Sequence, residues 1–192
     1  LKTFFEAKEK FAPKEIVHIM GELCEALHFA HDAGIVHRDI KPANVMIDTQ
    51  GRVKLTDFGV ARVNDPDRTV SERTQAGAVV GTPAYMSPEQ IEGLPLDRRT
   101  DIFSAGVILY EFLAGEKPFT GSGVWTIAKK ILSEHPPSPS SRNPGVSPMF
   151  DSVVAKALAK SAAERYQTAR ELGVDLKRAL EGLPPASEVD GT

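Results

Sequence analysis

One segment of the sequence limits the fold more than any other. Residues Asp101 to Ala114 are apolar almost all the way round a helical wheel, instead of along a single stripe. A helix without a polar face has to be surrounded by other elements, because its apolar side chains would otherwise contact water. The segment therefore predicts a buried central helix with the rest of the chain packed around it.

Amphipathic segments are available to cover this helix. From Lys14 to about Ala33, apolar residues recur at helical spacing along one stripe, and Gly34 follows as a left-handed C-terminal cap. Capping signals or apolar periodicity predict further helices that begin at Ser87-Pro88, Val124, Ser147-Pro148 and Thr168. The chain is thus expected to be mainly α.

One short β-hairpin interrupts the helical pattern. Two β-rich runs, Asn44 to Ile47 and Arg52 to Thr56, are separated by the turn sequence Asp48-Thr49-Gln50-Gly51. Residues Val63 to Ala76 are polar and predict a mobile loop, and Pro136 to Pro148 predicts an irregular connection. The tail from Gly182 is predicted to be a linker.

Composition narrows the class of protein. The 192 residues suffice for one domain, and the formal net charge of −3 argues against a general nucleic-acid binder. The single cysteine, Cys24, cannot form an intrachain disulfide and is predicted to be a packing residue in a reducing compartment. No apolar run reaches the length of a membrane span. We therefore expect a soluble, cytoplasmic domain.

The residues that carry chemistry lie between the first long helix and the polar loop. The run His37-Arg38-Asp39-Ile40-Lys41-Pro42-Ala43-Asn44 is followed, after the hairpin, by Asp57-Phe58-Gly59. Phosphoryl transfer requires positioning and neutralisation of charge more than covalent help. Asp39 can accept the proton of an attacking hydroxyl, and Lys41 can neutralise a phosphate. Asn44 and Asp57 supply the oxygen ligands that Mg²⁺ prefers.

These residues resemble the catalytic loop and metal-binding motif of the Hanks-type protein kinases. Ser87-Pro88-Glu89 is similar to the Ala-Pro-Glu motif of that family, with serine in place of alanine. Asp101 resembles the aspartate that opens the central helix, and Arg165 resembles the arginine that pairs with Glu89. The resemblance implies a protein-kinase-like C-terminal lobe over residues 1–181, with a linker over 182–192. Its fold class would be mainly α (α+β), a helical bundle around a buried central helix with a small β-hairpin at the catalytic loop.

The resemblance also implies an activity and a type of kinase. Lys41-Pro42 is similar to the serine/threonine kinases, and Ser87–Gln90 with Glu164–Thr168 is most similar to bacterial members. The implied reaction is transfer of the ATP γ-phosphate to serine or threonine hydroxyls of protein substrates, with Mg²⁺ or Mn²⁺. The residues implied in catalysis are Asp39, Lys41 and Thr82, whose hydroxyl would bridge the other two; those implied in nucleotide and metal binding are Lys41, Asn44, Met46 and Asp57.

Other matched residues are expected to support the site. His37 would pack beneath the Asp57-Phe58 turn without moving protons, and Phe58 would be a core residue that sets the position of Asp57. Asp101 and the Glu89–Arg165 pair would be scaffold. The remaining histidines have no metal-like spacing and are predicted to occupy core or surface positions: His18, His28, His31 and His135.

Arg38 precedes the catalytic aspartate, a mark of kinases that are switched by phosphorylation of the activation loop. A guanidinium at this position can make a bidentate pair with a phosphate and thereby order a loop. The candidate phosphorylation sites are Thr69, Ser71 and Thr74, of which the resemblance favours Thr74. The alternative is that Thr74 is only a polar loop residue.

The 192 residues contain no glycine-rich loop, and neither the strand lysine nor the helix glutamate that enclose a nucleotide in this family. We therefore expect these residues alone to be inactive and to pair with an N-terminal lobe. Met46 would lie on the apolar face turned to that lobe. Self-association is expected through this face when it is exposed, or through the activation loop. Two alternatives are a pseudokinase and an isolated-lobe interaction module; the intact set Asp39, Lys41, Asn44 and Asp57 favours an active parent. Many bacterial relatives continue into a membrane anchor, which implies the cytoplasmic part of an anchored kinase.

Overall fold

The structure is a computed structural model that describes residues 1–58 and 83–186. Within these ranges the α-helices are α1 (Lys2–Glu6), α2 (Pro13–Asp32), α3 (Pro88–Glu92), α4 (Arg98–Ala114), α5 (Val124–Ser133), α6 (Pro139–Arg142), α7 (Met149–Ala157) and α8 (Ala169–Leu180). The strands are β1 (Val45–Ile47) and β2 (Val53–Leu55), and short 3₁₀ turns cover Pro42–Asn44, Pro83–Tyr85 and Ala162–Glu164. The predicted loop over Val63 to Ala76 lies outside the described residues.

Helix α4 is the buried centre of the fold, as its sequence predicts. It begins at Arg98, three residues before the predicted start, because the Asp97 side chain accepts a hydrogen bond from the Arg99 N–H and caps the helix there. Gly115, at φ +76°, ends it in the left-handed conformation. All residues from Thr100 to Tyr110 are buried.

The other helices pack around α4. Helix α2 turns its predicted apolar stripe inward and packs against α8 and α4, while α7 lies against α8 and α4. Gly106 allows α7 to approach closely, since a Cβ at that position would lie 2.9 Å from the Cβ of Ala157. A larger residue at 106 would push the two helices apart.

The β-hairpin is confirmed, with slightly shorter strands than the sequence predicts. Strands β1 and β2 pair antiparallel, with Val45 opposite Leu55 and Met46 opposite Lys54. The Asp48 carboxylate accepts hydrogen bonds from the backbone of Gln50 and Arg52, which fixes the turn. The start of β1 and the end of β2 therefore lie at the same end of the hairpin.

Three further features differ from the sequence-based expectation. The connection from Pro136 to Pro148 contains the short helix α6, and α7 ends at Ala157 instead of near Lys160. The tail, predicted to be a linker from Gly182, stays packed through Ala186. The N–H of Ala186 donates to the buried carboxylate of Asp175 at 2.8 Å, and Pro185 is buried. Such pairings depend on the folded helix and leave no periodic pattern in the tail itself.

Candidate active site

The loop from His37 to Asn44 is anchored at its start by one carboxylate of the central helix α4, that of Asp101. Oδ2 of Asp101 accepts the backbone N–H of His37, and Oδ1 accepts that of Arg38, both at 2.8 Å. Asp101 is fully buried, so these charge-assisted bonds lie in a low-dielectric environment where they are strong. The central helix therefore fixes the start of the predicted catalytic loop.

Arg38 has an unusual backbone conformation. Its φ is +67°, in the left-handed region that a long side chain rarely adopts. Such a conformation costs on the order of 1–3 kcal/mol and persists only where surrounding contacts impose it. The bond from its N–H to Asp101 is one of those contacts.

His37 ties the loop to the second motif. Its Nδ1 accepts the N–H of Asp39 at 3.1 Å, so we assign the ring proton to Nε2, which donates to the carbonyl oxygen of Thr56 at 2.8 Å. The ring also contacts that of Phe58, with centroids 4.6 Å apart. His37 is completely buried beneath the Asp57-Phe58 turn, where the resemblance places it.

Within the predicted set Asp39, Lys41, Asn44 and Asp57, both Lys41 and Asn44 contact Asp39. The ammonium group of Lys41 lies 3.4 Å from Oδ2 of Asp39. The amide nitrogen of Asn44 donates to the same carboxylate oxygen at 3.2 Å and to the Asp39 carbonyl oxygen at 2.8 Å. The Lys41 and Asp39 side chains are 41% and 30% exposed, so the cluster opens to solvent.

The fourth residue, Asp57, lies at the same end of the hairpin. The N–H of Thr56 donates to the carbonyl oxygen of Asn44 at 3.0 Å, which places Asp57 one residue beyond this contact. Asp57 is exposed and has φ +54°, a conformation that aspartate tolerates better than most residues. The backbone thus brings Asp57 to the cluster, although no described contact joins its carboxylate to Asp39.

The donor set fits a magnesium ion. Because the amide nitrogen of Asn44 is bonded to Asp39, its carbonyl oxygen is the atom left for a cation. With the exposed carboxylate of Asp57 this gives two hard oxygen ligands, and Mg²⁺ commonly takes one or two protein ligands together with phosphates and water. Across residues 1–58 and 83–186 no group of three or more His, Cys, Asp or Glu side chains is placed to hold a metal, so an all-protein cage is not found there.

Met46 lies on the open side of the hairpin. Its neighbours in β1 turn towards the core, whereas the Met46 side chain is 56% exposed. An exposed apolar side chain next to the polar cluster suits the flat face of a base.

The predicted scaffold pair is present, with Arg165 fully buried and Glu89 partly buried. The guanidinium of Arg165, with 0% of its side chain exposed, contacts both carboxylate oxygens of Glu89 at 2.6 and 2.8 Å. Its remaining N–H groups donate to the carbonyl oxygens of Ala159, Arg99 and Lys160. All five donors of Arg165 are therefore paired.

Two predicted site residues, Thr74 and Thr82, lie outside the described residues. Arg38, the predicted partner of a phosphate at Thr74, is described. Its Nε is buried and has no hydrogen-bond partner within residues 1–58 and 83–186.

His31 is a functional residue that sequence reasoning missed, since the sequence predicts only a core or surface position for it. Its Nε2 lies 2.8 Å from Oδ2 of Asp101, and both side chains are 1% exposed. His31 therefore supports the carboxylate that anchors the catalytic loop. The contact spans 70 residues, and helical periodicity indicates only that His31 faces inward, not what it meets.

Comparison with known proteins decides the family. Residues 1–174 match the protein kinase domain family. The chain belongs to the protein kinase family. This kinase sequence is 45% identical over 186 residues to the serine/threonine-protein kinase PknB of Mycobacterium tuberculosis, covering 96% of this chain and 29% of the relative. PknB of Mycolicibacterium smegmatis is 47% identical over 186 residues, with 96% and 29% of the two chains covered.

The fold of the kinase chain also matches a solved structure. The crystal structure of a variant of the PknI kinase domain of Mycobacterium tuberculosis superposes with a TM-score of 0.69, 24% identity, and coverage of 93% of this chain and 60% of that one. This confirms the predicted protein-kinase-like fold, and the relatives confirm the bacterial, Hanks-type serine/threonine class. The chain spans less than a third of the length of the curated relatives it matches. In the parts that the structure describes, no helix has the length and hydropathy to cross a bilayer.

Proposed function

We propose that this chain supplies the catalytic lobe of a kinase that transfers the γ-phosphate of ATP to serine and threonine hydroxyls of proteins. The observation that carries the proposal is the contact of Asp39, Lys41 and Asn44 at the open end of the hairpin, where the backbone also brings Asp57. Residues 1–181, together with the packed segment through Ala186, would form the C-terminal lobe of that kinase, and the linker would be confined to the residues that follow.

Each side chain of the cluster has a distinct role in this proposal. The Asp39 carboxylate accepts the hydroxyl proton of the protein substrate, because its side chain is 30% exposed and is oriented by the hydrogen bond from Asn44. Lys41, next to it, offsets negative charge on the phosphate that is transferred. Thr82 would complete this group by bridging Asp39 and Lys41.

ATP and Mg²⁺, or Mn²⁺ as an alternative, are the proposed cofactors. When bound, the metal ion would supply positive charge that offsets the charge of the phosphates. The carbonyl oxygen of Asn44 and the carboxylate of Asp57 would hold it, and Met46 would lie beneath the adenine ring.

The test is phosphoryl transfer by the complete parent protein. We expect phosphoserine or phosphothreonine on a generic acceptor protein such as myelin basic protein, and its loss to background in Asp39→Asn and Asp57→Asn variants. A matched control, Asp151→Asn, changes a carboxylate outside the cluster, which accepts hydrogen bonds from the N–H and the hydroxyl group of Ser140, and should keep full activity. Wild-type turnover that persists in both site variants would refute the assignment.

We also propose that the parent kinase is activated by phosphorylation of Thr74. The support is the buried Arg38 Nε, which has no partner in the described part of the chain and is a ready donor for a phosphate oxygen. Phosphopeptide mapping of active protein should find Thr74 modified, and Thr74→Ala should reduce the rate of substrate phosphorylation. Active protein without phosphate on Thr74 would end this proposal.

Residues 1–192 on their own are proposed to be inactive, because they contain none of the elements that enclose ATP from the other side. Addition of an N-terminal lobe should restore turnover. The exposed face that includes Met46, or the activation loop, would support self-association, which light scattering at increasing concentration would detect. We place this lobe in the cytoplasm, with any membrane contact made by segments outside it.

A further inference from the structure

The side chain of Gln90 joins two parts of the site that are far apart in sequence. Its Oε1 accepts the N–H of Ser87 at 3.0 Å and closes the capping box at the start of α3. Its Nε2 donates to the carbonyl oxygen of Arg38 at 2.8 Å, across 52 residues. An amide carries an acceptor and a donor on one planar group, so a single side chain makes both bonds at once.

The second bond completes the restraint on the Arg38 backbone. Its N–H is held by Asp101 at 2.8 Å and its carbonyl oxygen by Gln90 at the same distance. Arg38 is the residue at φ +67°, which needs contacts on both sides to persist.

The same bond orients the peptide group that leads into Asp39. The oxygen of this peptide is held by Gln90, and its N–H, which belongs to Asp39, donates to Nδ1 of His37 at 3.1 Å. A planar peptide fixed at both its oxygen and its N–H cannot rotate freely. The position of the Asp39 Cα follows from that plane, and the hydrogen bond from Asn44 then orients the carboxylate.

We propose that Gln90 is a positioning residue for Asp39, acting through the Arg38 carbonyl oxygen. This inference rests on the proposed function, in which Asp39 accepts the substrate proton. Gln90 contacts neither substrate nor nucleotide in this scheme. It couples the position of α3, which also carries Glu89 of the buried ion pair, to the geometry of the catalytic loop.

Two variants separate this role from the capping of α3. Gln90→Glu keeps an acceptor for the Ser87 N–H but has no donor for the Arg38 carbonyl oxygen. Gln90→Met has a similar length and loses both bonds. If positioning matters, both variants are impaired; if only capping matters, only Gln90→Met is; if an added charge is responsible, only Gln90→Glu is.

The first measurement is amide hydrogen exchange at Arg38 and Asp39 in the complete protein, which does not require activity. We expect exchange to be about tenfold faster at both amides in both variants, because local opening is no longer opposed from the carbonyl side. The exchange of α8, which is remote from Gln90, serves as the internal control and should not change.

The second measurement is steady-state kinetics of the complete kinase. Since a misplaced catalytic group lowers the rate of the chemical step, we expect kcat to fall about tenfold in both variants while KM for ATP stays within about twofold. Wild-type exchange with wild-type kcat in either variant would overturn the inference, as would an effect in only one of the two. If the wild-type protein has no kinase activity, the proposed function fails, and the exchange arm still decides whether Gln90 holds the loop.

Discussion

The polar residues of this chain fall into two regions that differ in how much of their bonding capacity the protein itself uses. Beneath the site, Arg165 is fully buried and all five of its N–H donors are paired, and the Asp101 carboxylate holds two backbone amides and His31. At the open end of the hairpin, the side chains of Asp39 and Lys41 are 30% and 41% exposed.

This difference in bonding separates the residues that support the fold from the residues proposed to carry out the chemistry. A buried charge without partners carries a large desolvation penalty. The charged groups beneath the site (the lower region), Arg165 and Asp101, therefore need hydrogen-bond partners within the protein. The hairpin end (the upper region) is partly solvated, so polar atoms there can stay unpaired within the protein, as the proposed roles in binding phosphate, metal and substrate require. Changes in the lower region should therefore reduce stability, whereas changes at the hairpin end should reduce activity with little loss of stability.

The largest effect is expected for Glu89→Ala. This change leaves the buried guanidinium of Arg165 without its counter-charge, and removal of one partner of a buried pair typically costs about 3–5 kcal/mol. Urea denaturation should show that loss in the free energy of unfolding. The exposed pair of Glu25 and Arg170, 3.9 Å apart, is the control, since Glu25→Ala should cost less than about 1 kcal/mol. Equal costs at both positions would remove the distinction between the regions.

A smaller loss is expected for Asp101→Asn. One oxygen remains as an acceptor, but the charge is lost and the new N–H₂ group faces a backbone donor, so we expect about 2–4 kcal/mol from bonds worth about 1.5–3 kcal/mol each. Amide exchange at His37 and Arg38 should rise together with the loss of stability. The control is Asp151→Asn, which changes a carboxylate that accepts hydrogen bonds from Ser140. It should leave exchange at the His37 and Arg38 amides unaltered. Unchanged exchange in Asp101→Asn would contradict the anchoring role.

The sequence predicts the elements of the lower region better than their contacts. The near-continuous apolar character of Asp101 to Ala114 is enough to predict a buried helix, and the capping box at Ser87–Gln90 is enough to predict where α3 starts. The contact of His31 with Asp101 and that of Gln90 with Arg38 escape such reasoning. Their partners lie 70 and 52 residues away, and local patterns contain no information about pairs at that separation.

The site at the hairpin end was predictable for a different reason. The spacing of Asp39, Lys41 and Asn44 is short, so a single loop brings them together once its ends are fixed. The backbone strain at Arg38 was not predictable, because positive φ at arginine is imposed by tertiary contacts and not by its own preference.

The two regions should also respond differently to acid. Burial raises the pKa of Glu89, but the hydrogen bonds from Arg165 and Thr100 and the charge of Arg165 outweigh it and hold the pKa below its ordinary value of 4.5. The folded state therefore binds fewer protons than the unfolded state, and this contribution to stability is present above pH 4.5 and is lost as the pH falls through the depressed folded pKa.

Comparison with Glu89→Gln isolates that contribution. Glutamine cannot titrate and resembles the protonated carboxyl group, so the difference in free energy of unfolding between wild type and variant should be greatest near neutral pH and shrink below pH 4.5. Urea titrations at several pH values measure it. A difference that is constant with pH would show that the charge of Glu89 adds nothing to stability.

The smallest effect on stability is expected at Asp57, and it completes the contrast with the buried carboxylates. Asp57 is exposed at φ +54°, and asparagine tolerates this conformation as aspartate does, so Asp57→Asn should change the free energy of unfolding by less than about 0.5 kcal/mol. Asp57→Ala should cost about 1 kcal/mol, because alanine lacks the short polar side chain that makes the left-handed region accessible. Urea denaturation of both variants beside Asp101→Asn provides the comparison. A loss at Asp57→Asn as large as that at Asp101→Asn would mean that the fold depends on the hairpin end as much as on the buried network, and the assignment of Asp57 to chemistry alone would be wrong.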